Sequence, residues 1–127
     1  MENKKEKTKQ ITWLKRPEDH DYLAAVSYLS LLFSEGEAKK YAAQLKKAGM
    51  SEFKSKDIFR ASALSLLGVS NKHIKRDLQK IKKGKNLSPI LLVRNAPNGK
   101  LIIADGYHRL CAVHALNEDA LIPCKIV

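Results

Sequence analysis

The sequence predicts an α+β domain, and three observations support that prediction. Residues 17–84 place apolar side chains at helical spacing, interrupted by capping and stop signals. After residue 85 the apolar positions form short β-rich runs around an Asn-Gly turn. At 127 residues, 44% of them hydrophobic, the chain can bury one core without disulfide or metal staples. We therefore expect one domain over 17–127, with a mostly helical part (17–84) and a strand-turn-strand-helix-strand part (85–127).

The first two helices are predicted to form a hairpin. Pro17-Glu18-Asp19 is a helix-start signal, and apolar residues follow at helical spacing as far as Phe33. Ser34 with Glu37 three residues later has the capping-box pattern, which would end the first helix and begin the second. The second helix would then run to a stop at Gly49.

Two further helices complete the first part. A short extended piece at 52–54 would precede a helix within 55–67, closed by Gly68. The last of these helices would be capped by Ser70 or Asn71 and stopped by Gly84. It would bury a stripe at i, i+4 and i+7, and its lysines would form the solvated face of an amphipathic helix. The stripe is Ile74, Leu78 and Ile81.

The second part alternates strands with one helix. We expect a strand at 89–94, a turn at Asn98-Gly99 and a returning strand at 101–104. A helix over 107–116 and a final strand over 121–127 would follow. The predicted core comprises Leu29, Leu32, Phe33, Leu45, Leu66, Ile74, Leu78, Leu92, Ile102, Leu110, Val113 and Ile126.

Charge and cysteine content limit the function classes. The net charge is +11, partly from residues 1–16, which we expect to be a basic, flexible tail from which Ile11, Trp13 and Leu14 are able to dock on the core. A second basic cluster lies within 72–85, and such charge suits nucleic acid, nucleotides or acidic surfaces, or simply a solvated surface. We expect no membrane partner, because no apolar run is long enough to span a bilayer. A cytoplasmic location with Cys111 and Cys124 as buried free thiols is the expectation.

The segment from Ile102 to Ala112 carries the chemistry. A β-branched run ends in Asp105-Gly106 and is followed at once by a helical pattern that opens with Tyr107-His108-Arg109. The first N–H groups of a helix have no internal partners, and the helix dipole makes that end partly positive. A phosphate is favoured there, and an arginine in the first turn adds a bidentate grip. The sequence therefore predicts a phosphate-binding turn.

This turn resembles that of the ParB/sulfiredoxin superfamily. The family pattern is Gly-Cys-His-Arg in sulfiredoxins, Asp-Gly-His-His-Arg in free serine kinases and Gly-Glu-Arg-Arg in partition proteins; here it is Asp105-Gly106-Tyr107-His108-Arg109. The upstream Leu87-Ser88-Pro89-Ile90 is similar to the strand entry of that family. The resemblance covers the last third of the chain and implies a ParB/sulfiredoxin-like module, with a site for ATP, CTP or another phosphorylated ligand.

The resemblance also implies roles for particular residues, and it has limits. Gly106 would let the backbone approach the phosphate, and His108 and Arg109 would supply donors. Tyr107 occupies the sulfiredoxin cysteine position, so rescue of oxidised cysteine is not expected. The helix-turn-helix of partition proteins is not expected either.

Each site residue has an alternative role. Asp105 would serve as the helix N-cap, or as a catalytic base or a ligand to Mg²⁺ beside the phosphates. Arg109 would bind the phosphate or pair with Glu118 or Asp119. Gly106 is required by a tight turn in either case, while Tyr107 would line the pocket or pack, and His108 would be a donor or an ordinary surface histidine.

Three functions follow from these residues. The first is a ParB-like nucleotide-binding module, with ATP or CTP and Mg²⁺ as ligands and with or without turnover. The second is a metal-assisted phosphotransferase or nuclease, which needs Asp105 and a further acid. The third is a basic nucleic-acid-binding or protein-interaction domain with a degenerate pocket. The acids considered for the second function are Glu52, Asp57, Glu118 and Asp119.

Overall fold

The computed structural model describes residues 11–68 and 70–127, apart from the side chain of Ala96. Within these residues the chain forms five α-helices, four strands and a 3₁₀ turn at Ala96–Asn98. In chain order the elements are α1 (Asp19–Leu29), α2 (Glu35–Lys47), β1 (Ser51–Lys54), α3 (Ser55–Ser62), α4 (Lys72–Lys82), β2 (Ile90–Asn95), β3 (Lys100–Asp105), α5 (Tyr107–Leu116) and β4 (Leu121–Ile126).

The four strands form one mixed sheet in the order β1-β4-β2-β3. Strand β4 pairs antiparallel with β1 and parallel with β2, and β2 pairs antiparallel with β3. The parallel pair is connected through β3 and α5, as parallel neighbours require a crossover connection. The predicted α+β class is confirmed, and the extended piece expected at 52–54 is the edge strand β1.

Helices cover both faces of the sheet, because successive strand residues point to opposite sides. On one face, α1 and α2 pack against Leu91, Val93 and Ile102. On the other face, α3, α4 and α5 pack against Ile90, Leu92 and Ile103. The near-continuous burial of β2 follows from this three-layer arrangement.

Several local predictions are confirmed. The Ser34 hydroxyl accepts the Glu37 N–H at 3.2 Å and begins α2, and the Asn71 side chain accepts the His73 N–H at 2.9 Å and begins α4. Ile74 and Ile81 are buried beneath α4, with Leu78 packed against the same cluster. Both cysteines are free and buried, and burial raises the pKa of the Cys124 thiol to about 11.

Two predicted helices end earlier than expected. Helix α1 ends at Leu29 instead of Phe33, so that Leu32 is 52% exposed, and α3 ends at Ser62 instead of near Gly68, leaving Leu66 also 52% exposed. At each end a serine hydroxyl donates to the carbonyl three residues earlier: Ser30 to Ser27, and Ser62 to Phe59. Such bonds offer the backbone an alternative to the helical ladder. The prediction that Leu32 and Leu66 belong to the core was wrong.

Part of the predicted tail belongs to the domain. Trp13 forms a parallel bridge with Leu87, where the Leu14 N–H donates to the Leu87 carbonyl at 2.8 Å. Ile11 and Trp13 pack against the core, as their apolar character suggested. Residues 1–10 of the predicted tail lie outside the described residues. Among the helices that the structure describes, none is long and apolar enough to cross a membrane.

Candidate functional site

The candidate site lies at the open end of the β2–β3 hairpin, where the two helical layers meet. Strand β3 ends at Asp105, Gly106 makes the turn, and α5 begins at Tyr107, as predicted. Gly106 has φ +105°, and a Cβ built there would lie 2.3 Å from Ile90 Cγ2 and 2.9 Å from Arg109 Nη2. Only glycine fits this turn, because a side chain would meet both unfavourable backbone geometry and occupied space.

Asp105 does not cap α5, which corrects one of the two roles expected for it. The N-cap residue is Gly106, and within the described part of the chain no side chain caps the first turn. Asp105 is the last residue of β3, and its carboxylate accepts a hydrogen bond from Arg109 Nη2 at 2.9 Å. The carboxylate of Asp105 is therefore not bonded to the first-turn N–H groups of α5.

Arg109 is held from one side only. Its Nη2 donates to Asp105 and lies 3.4 Å from the Pro89 carbonyl oxygen. Its Nε is buried and has no hydrogen-bond partner among the described residues. Buried donors in folded proteins are paired in the large majority of cases, so this guanidinium has donor capacity to spare.

The ion pairs predicted for Arg109 with Glu118 or Asp119 do not form. Asp119 Oδ1 lies 2.7 Å from Lys56 Nζ, beyond the opposite end of α5. The exposed Lys56–Asp119 contact lowers the pKa of the Asp119 carboxyl and raises that of the Lys56 ammonium. Arg109 forms its ion pair with Asp105 instead, four residues earlier in the turn itself.

Asp21 on α1 completes the acidic wall of the site. Its Oδ2 accepts the Glu18 N–H at 2.9 Å and the Ser88 hydroxyl, and the residue is 2% exposed. The Asp21 carboxyl also faces that of Asp105. Burial raises the pKa of the Asp105 carboxyl, with Asp21 adding to the effect and Arg109 opposing it. Two carboxyl groups and one guanidinium therefore lie close together in a partly buried region of the cleft.

Helix α4 supplies the basic wall of the cleft. Its charged residues were predicted only to form a solvated face. The ring centroids of His73 and His108 are 4.7 Å apart. Burial lowers the pKa of His108, assisted by His73 and Arg109 and opposed by Asp77. Burial raises the pKa of the Asp77 carboxyl, against the attraction of Lys80, Arg109 and neighbouring cations.

Tyr107 both lines the site and anchors the loop between α3 and α4. Its hydroxyl donates to the Ser65 carbonyl oxygen, and its ring centroid lies 5.6 Å from that of His108. Burial raises the pKa of this phenol, and the Cys111 thiol contacts the same group. Tyr107 was predicted to pack or to line the pocket, but its hydrogen bond to the loop was not predicted.

Together these residues enclose a polar cleft of about 240 Å³. The turn residues Asp105, Gly106, Tyr107, His108 and Arg109 all line it. The lining residues from α1, α4 and the segment before β2 were not predicted, because they reach the cleft through contacts that are distant in sequence. The remaining lining residues are Glu18, His20, Asp21, His73, Arg76, Asp77, Lys80, Asn86, Leu87 and Ser88.

The acids expected to join Asp105 at a metal lie elsewhere. Asp57 pairs with Arg60, Asp119 pairs with Lys56, and neither these two nor Glu52 and Glu118 line the cleft. Within the described part of the chain, no group of three or more His, Cys, Asp or Glu residues is arranged to hold a metal ion. The facing carboxyls of Asp21 and Asp105 fit Mg²⁺ only in the mode where ligand phosphates complete its shell.

No protein-family model, curated protein or solved structure matches the chain.

Proposed function

We propose that the cleft binds the phosphate group of a nucleotide such as ATP or CTP. The observation that carries this proposal is Arg109, a first-turn arginine oriented by Asp105 whose buried Nε has no acceptor among the described residues. A phosphate oxygen is the acceptor that a guanidinium fork fits best. Because Nε is enclosed, ligand entry requires the guanidinium to turn slightly toward the cleft.

The surroundings favour a dianion over a neutral ligand. The uncapped first turn of α5 opens at the cleft, and His108 lies in that same turn. Arg76 and Lys80 are lining cations that approach from α4, and His73 lines the cleft beside them. Backbone N–H groups at a helix start and nearby cations are the two elements of a helix-terminal phosphate site.

Asp105 acts here as the residue that positions Arg109. Its bond to Nη2 fixes one edge of the guanidinium and leaves the other edge to the ligand. With Asp21, it would also hold the Mg²⁺ that accompanies a nucleotide, which would neutralise charge between the two carboxylates and the phosphates. The resemblance of the turn to the ParB/sulfiredoxin pattern supports the same ligand class.

The test is a calorimetric titration of ATP, CTP and GTP, with and without Mg²⁺, into wild type and Arg109→Lys. Lysine keeps the charge beside Asp105 but loses the fork, so we expect binding to weaken by about 1.5–3 kcal/mol, the contribution of a charged hydrogen bond. Arg60→Lys is the matched control, because Arg60 also pairs with an aspartate but lies outside the cleft. Release of inorganic phosphate, measured on the same samples, would reveal turnover.

A second variant keeps the test valid if Arg109→Lys fails to fold. Arg76→Ala changes an exposed cleft residue and should leave stability unchanged while weakening binding. Saturable binding that neither Arg109→Lys nor Arg76→Ala alters would place the phosphate elsewhere. Absence of binding to all three nucleotides would refute the proposal.

A further inference from the structure

Helix α4 carries a straight row of exposed cations that enters the cleft. Lys72, Arg76, Lys80 and Lys83 are spaced i, i+4, i+8 and i+11, which places them along one side of the helix. Arg76 and Lys80 line the cleft, and Lys72 and Lys83 continue the row on either side of them. At 1.5 Å per residue the row is about 16 Å long.

The row is not neutralised by the rest of the described protein. The ion pairs found within residues 11–68 and 70–127 involve α1, α2, α3, β1, the turn at Arg109 and the loop before β4, and none includes a cation of α4. Asp77 is the acidic residue of α4 that lines the cleft; it is 8% exposed, and its carboxyl attracts Lys80 and Arg76. An exposed cationic row of this kind suits a ligand with repeated negative charges.

The cleft is too small to enclose such a ligand. Its volume of about 240 Å³ lies below the roughly 300–1,000 Å³ of pockets that bury most of a drug-sized molecule. A phosphate and its immediate substituents fit within this volume, and the rest of an extended ligand would lie outside. The cationic row is the surface on which an anionic continuation would be stabilised.

The opposite rim disfavours a strand that passes through the cleft. There, the start of α1 contributes Glu18, Asp19 and Asp21, of which Glu18 and Asp21 line the cleft. A polyanion that enters along α4 therefore meets carboxylates on the far side. Electrostatics favours a chain that ends in the cleft over one that continues across it.

We infer that the cleft takes the terminal phosphate of a single-stranded nucleic acid whose next phosphates lie along the α4 row. This inference rests on the proposed phosphate site and names a ligand class for it. The terminal monoester supplies the dianion that Arg109 and the start of α5 suit, and the next phosphodiester contacts Lys72 or Lys83, depending on the side from which the chain leaves the cleft. A free mononucleotide occupies only the first of these two parts.

The test compares three forms of one oligonucleotide. The first two carry a label at the 3′ end, and one of them also has a 5′-phosphate. The third form carries the label at the 5′ end and a phosphate at the 3′ end. Fluorescence anisotropy at several salt concentrations measures binding. A terminal phosphate should tighten binding by about ten- to hundredfold in one polarity, the range expected for a charged hydrogen bond. ATP titrated in parallel reports the phosphate site alone.

The double variant Lys72→Gln/Lys83→Gln tests the row. Because the chain leaves the cleft on one side only, this variant should lose one phosphate contact, reduce the slope of log K against log salt by about 0.7 for a single strand and leave ATP binding unchanged. Lys40→Gln/Lys47→Gln removes the same two charges from exposed positions on α2, across the sheet, and should change neither.

Each outcome separates this inference from the proposed function. If ATP binds but oligonucleotides bind equally with and without a terminal phosphate, the inference is overturned and the phosphate site stands. If the terminal phosphate tightens binding but the Lys72/Lys83 and Lys40/Lys47 variants have the same salt dependence, the α4 row does not bind the following phosphates. If neither ATP nor any oligonucleotide binds, both proposals are refuted.

Discussion

Two aspartate–arginine pairs of nearly equal length lie in opposite environments in this protein. Arg109 Nη2 is 2.9 Å from Asp105 Oδ2 in the cleft, and Arg60 Nη2 is 2.8 Å from Asp57 Oδ1 on α3. The cleft pair is 18% and 16% exposed, whereas the α3 pair is 82% and 44% exposed. In sequence both pairs are short-range, at i, i+4 across the strand–helix turn and at i, i+3 within α3.

The difference shows that pair length alone does not identify a functional site. The α3 pair is surrounded by water, which screens its attraction and satisfies the other polar atoms. The cleft pair has lost much of that water, and its arginine has a buried Nε without an acceptor among the residues that the structure describes. A second carboxyl, that of Asp21, also faces Asp105. Burial and incomplete hydrogen bonding mark the cleft pair as the one that a ligand would complete.

The largest effect should come from the turn that creates the buried environment. Gly106→Ala places a Cβ 2.3 Å from Ile90 Cγ2 at φ +105°, so backbone strain and overpacking add. We expect a loss of roughly 3 kcal/mol or more in the free energy of unfolding, measured by urea denaturation.

Gly99→Ala is the matched control for this turn. Gly99 also has positive φ, +65°, but nothing lies within 4 Å of its added Cβ. Backbone strain alone should cost about 1–2 kcal/mol there. Equal losses for the two variants would show that the contact with Ile90 is not what requires glycine at 106.

The next effect concerns the two arginines directly. Arg109→Gln leaves the Asp105 and Asp21 carboxyls without their cation, and we expect a loss of about 2–3 kcal/mol at neutral pH, somewhat below that for a fully buried pair. Arg60→Gln should change stability by less than about 0.5 kcal/mol. Urea midpoints of both variants and wild type provide the comparison. Similar values for the two would contradict the distinction drawn here.

Much of the fold could be predicted from the sequence because its signals are local. The Ser34 and Asn71 caps and the limits of α5 follow from side chains that act within a few residues. The predictions failed where two local signals competed. At the ends of α1 and α3, serine hydroxyls closed the helices while apolar periodicity continued to Leu32 and Leu66.

The candidate site was half predictable for the same reason. The residues of the turn, 105–109, are consecutive and line one cleft. The N-cap role considered for Asp105 was wrong, because such a role depends on the direction of a strand-end side chain, which sequence spacing does not determine. Asp21, 84 positions before Asp105, reaches the cleft only because α1 packs across β2 and β3. Ser88 is bonded to Asp21 at a sequence separation of 67.

A pH titration of stability should separate the buried carboxyl from an exposed one. Burial raises the folded-state pKa of Asp105 above 3.8, so the folded protein binds that proton more tightly than the unfolded chain. This contribution is fully present below pH 3.8 and is lost as the pH rises through the folded pKa. Asp105→Asn should remove that loss from the pH profile of the urea midpoint.

Asp119 gives the opposite sign and serves as the internal control. Lys56 lowers the folded-state pKa of the Asp119 carboxyl, so its contribution is present above pH 3.8 and is lost as the pH falls through the folded pKa. Asp119→Asn should therefore reduce the loss of stability in acid, by a small amount because the group is exposed. Profiles that change in the same direction for both variants would contradict the burial difference.

The smallest effect should come from His108. Burial lowers its folded-state pKa below 6.5, so the unfolded chain takes up the proton first as the pH falls. Stability is therefore fully present above pH 6.5 and decreases below it, and His108→Gln should flatten that decrease in urea midpoints measured between pH 7.5 and 5. A slope between pH 7.5 and 5 that His108→Gln leaves as in wild type would show that the histidine in the first turn of α5 is not the group desolvated by the cleft.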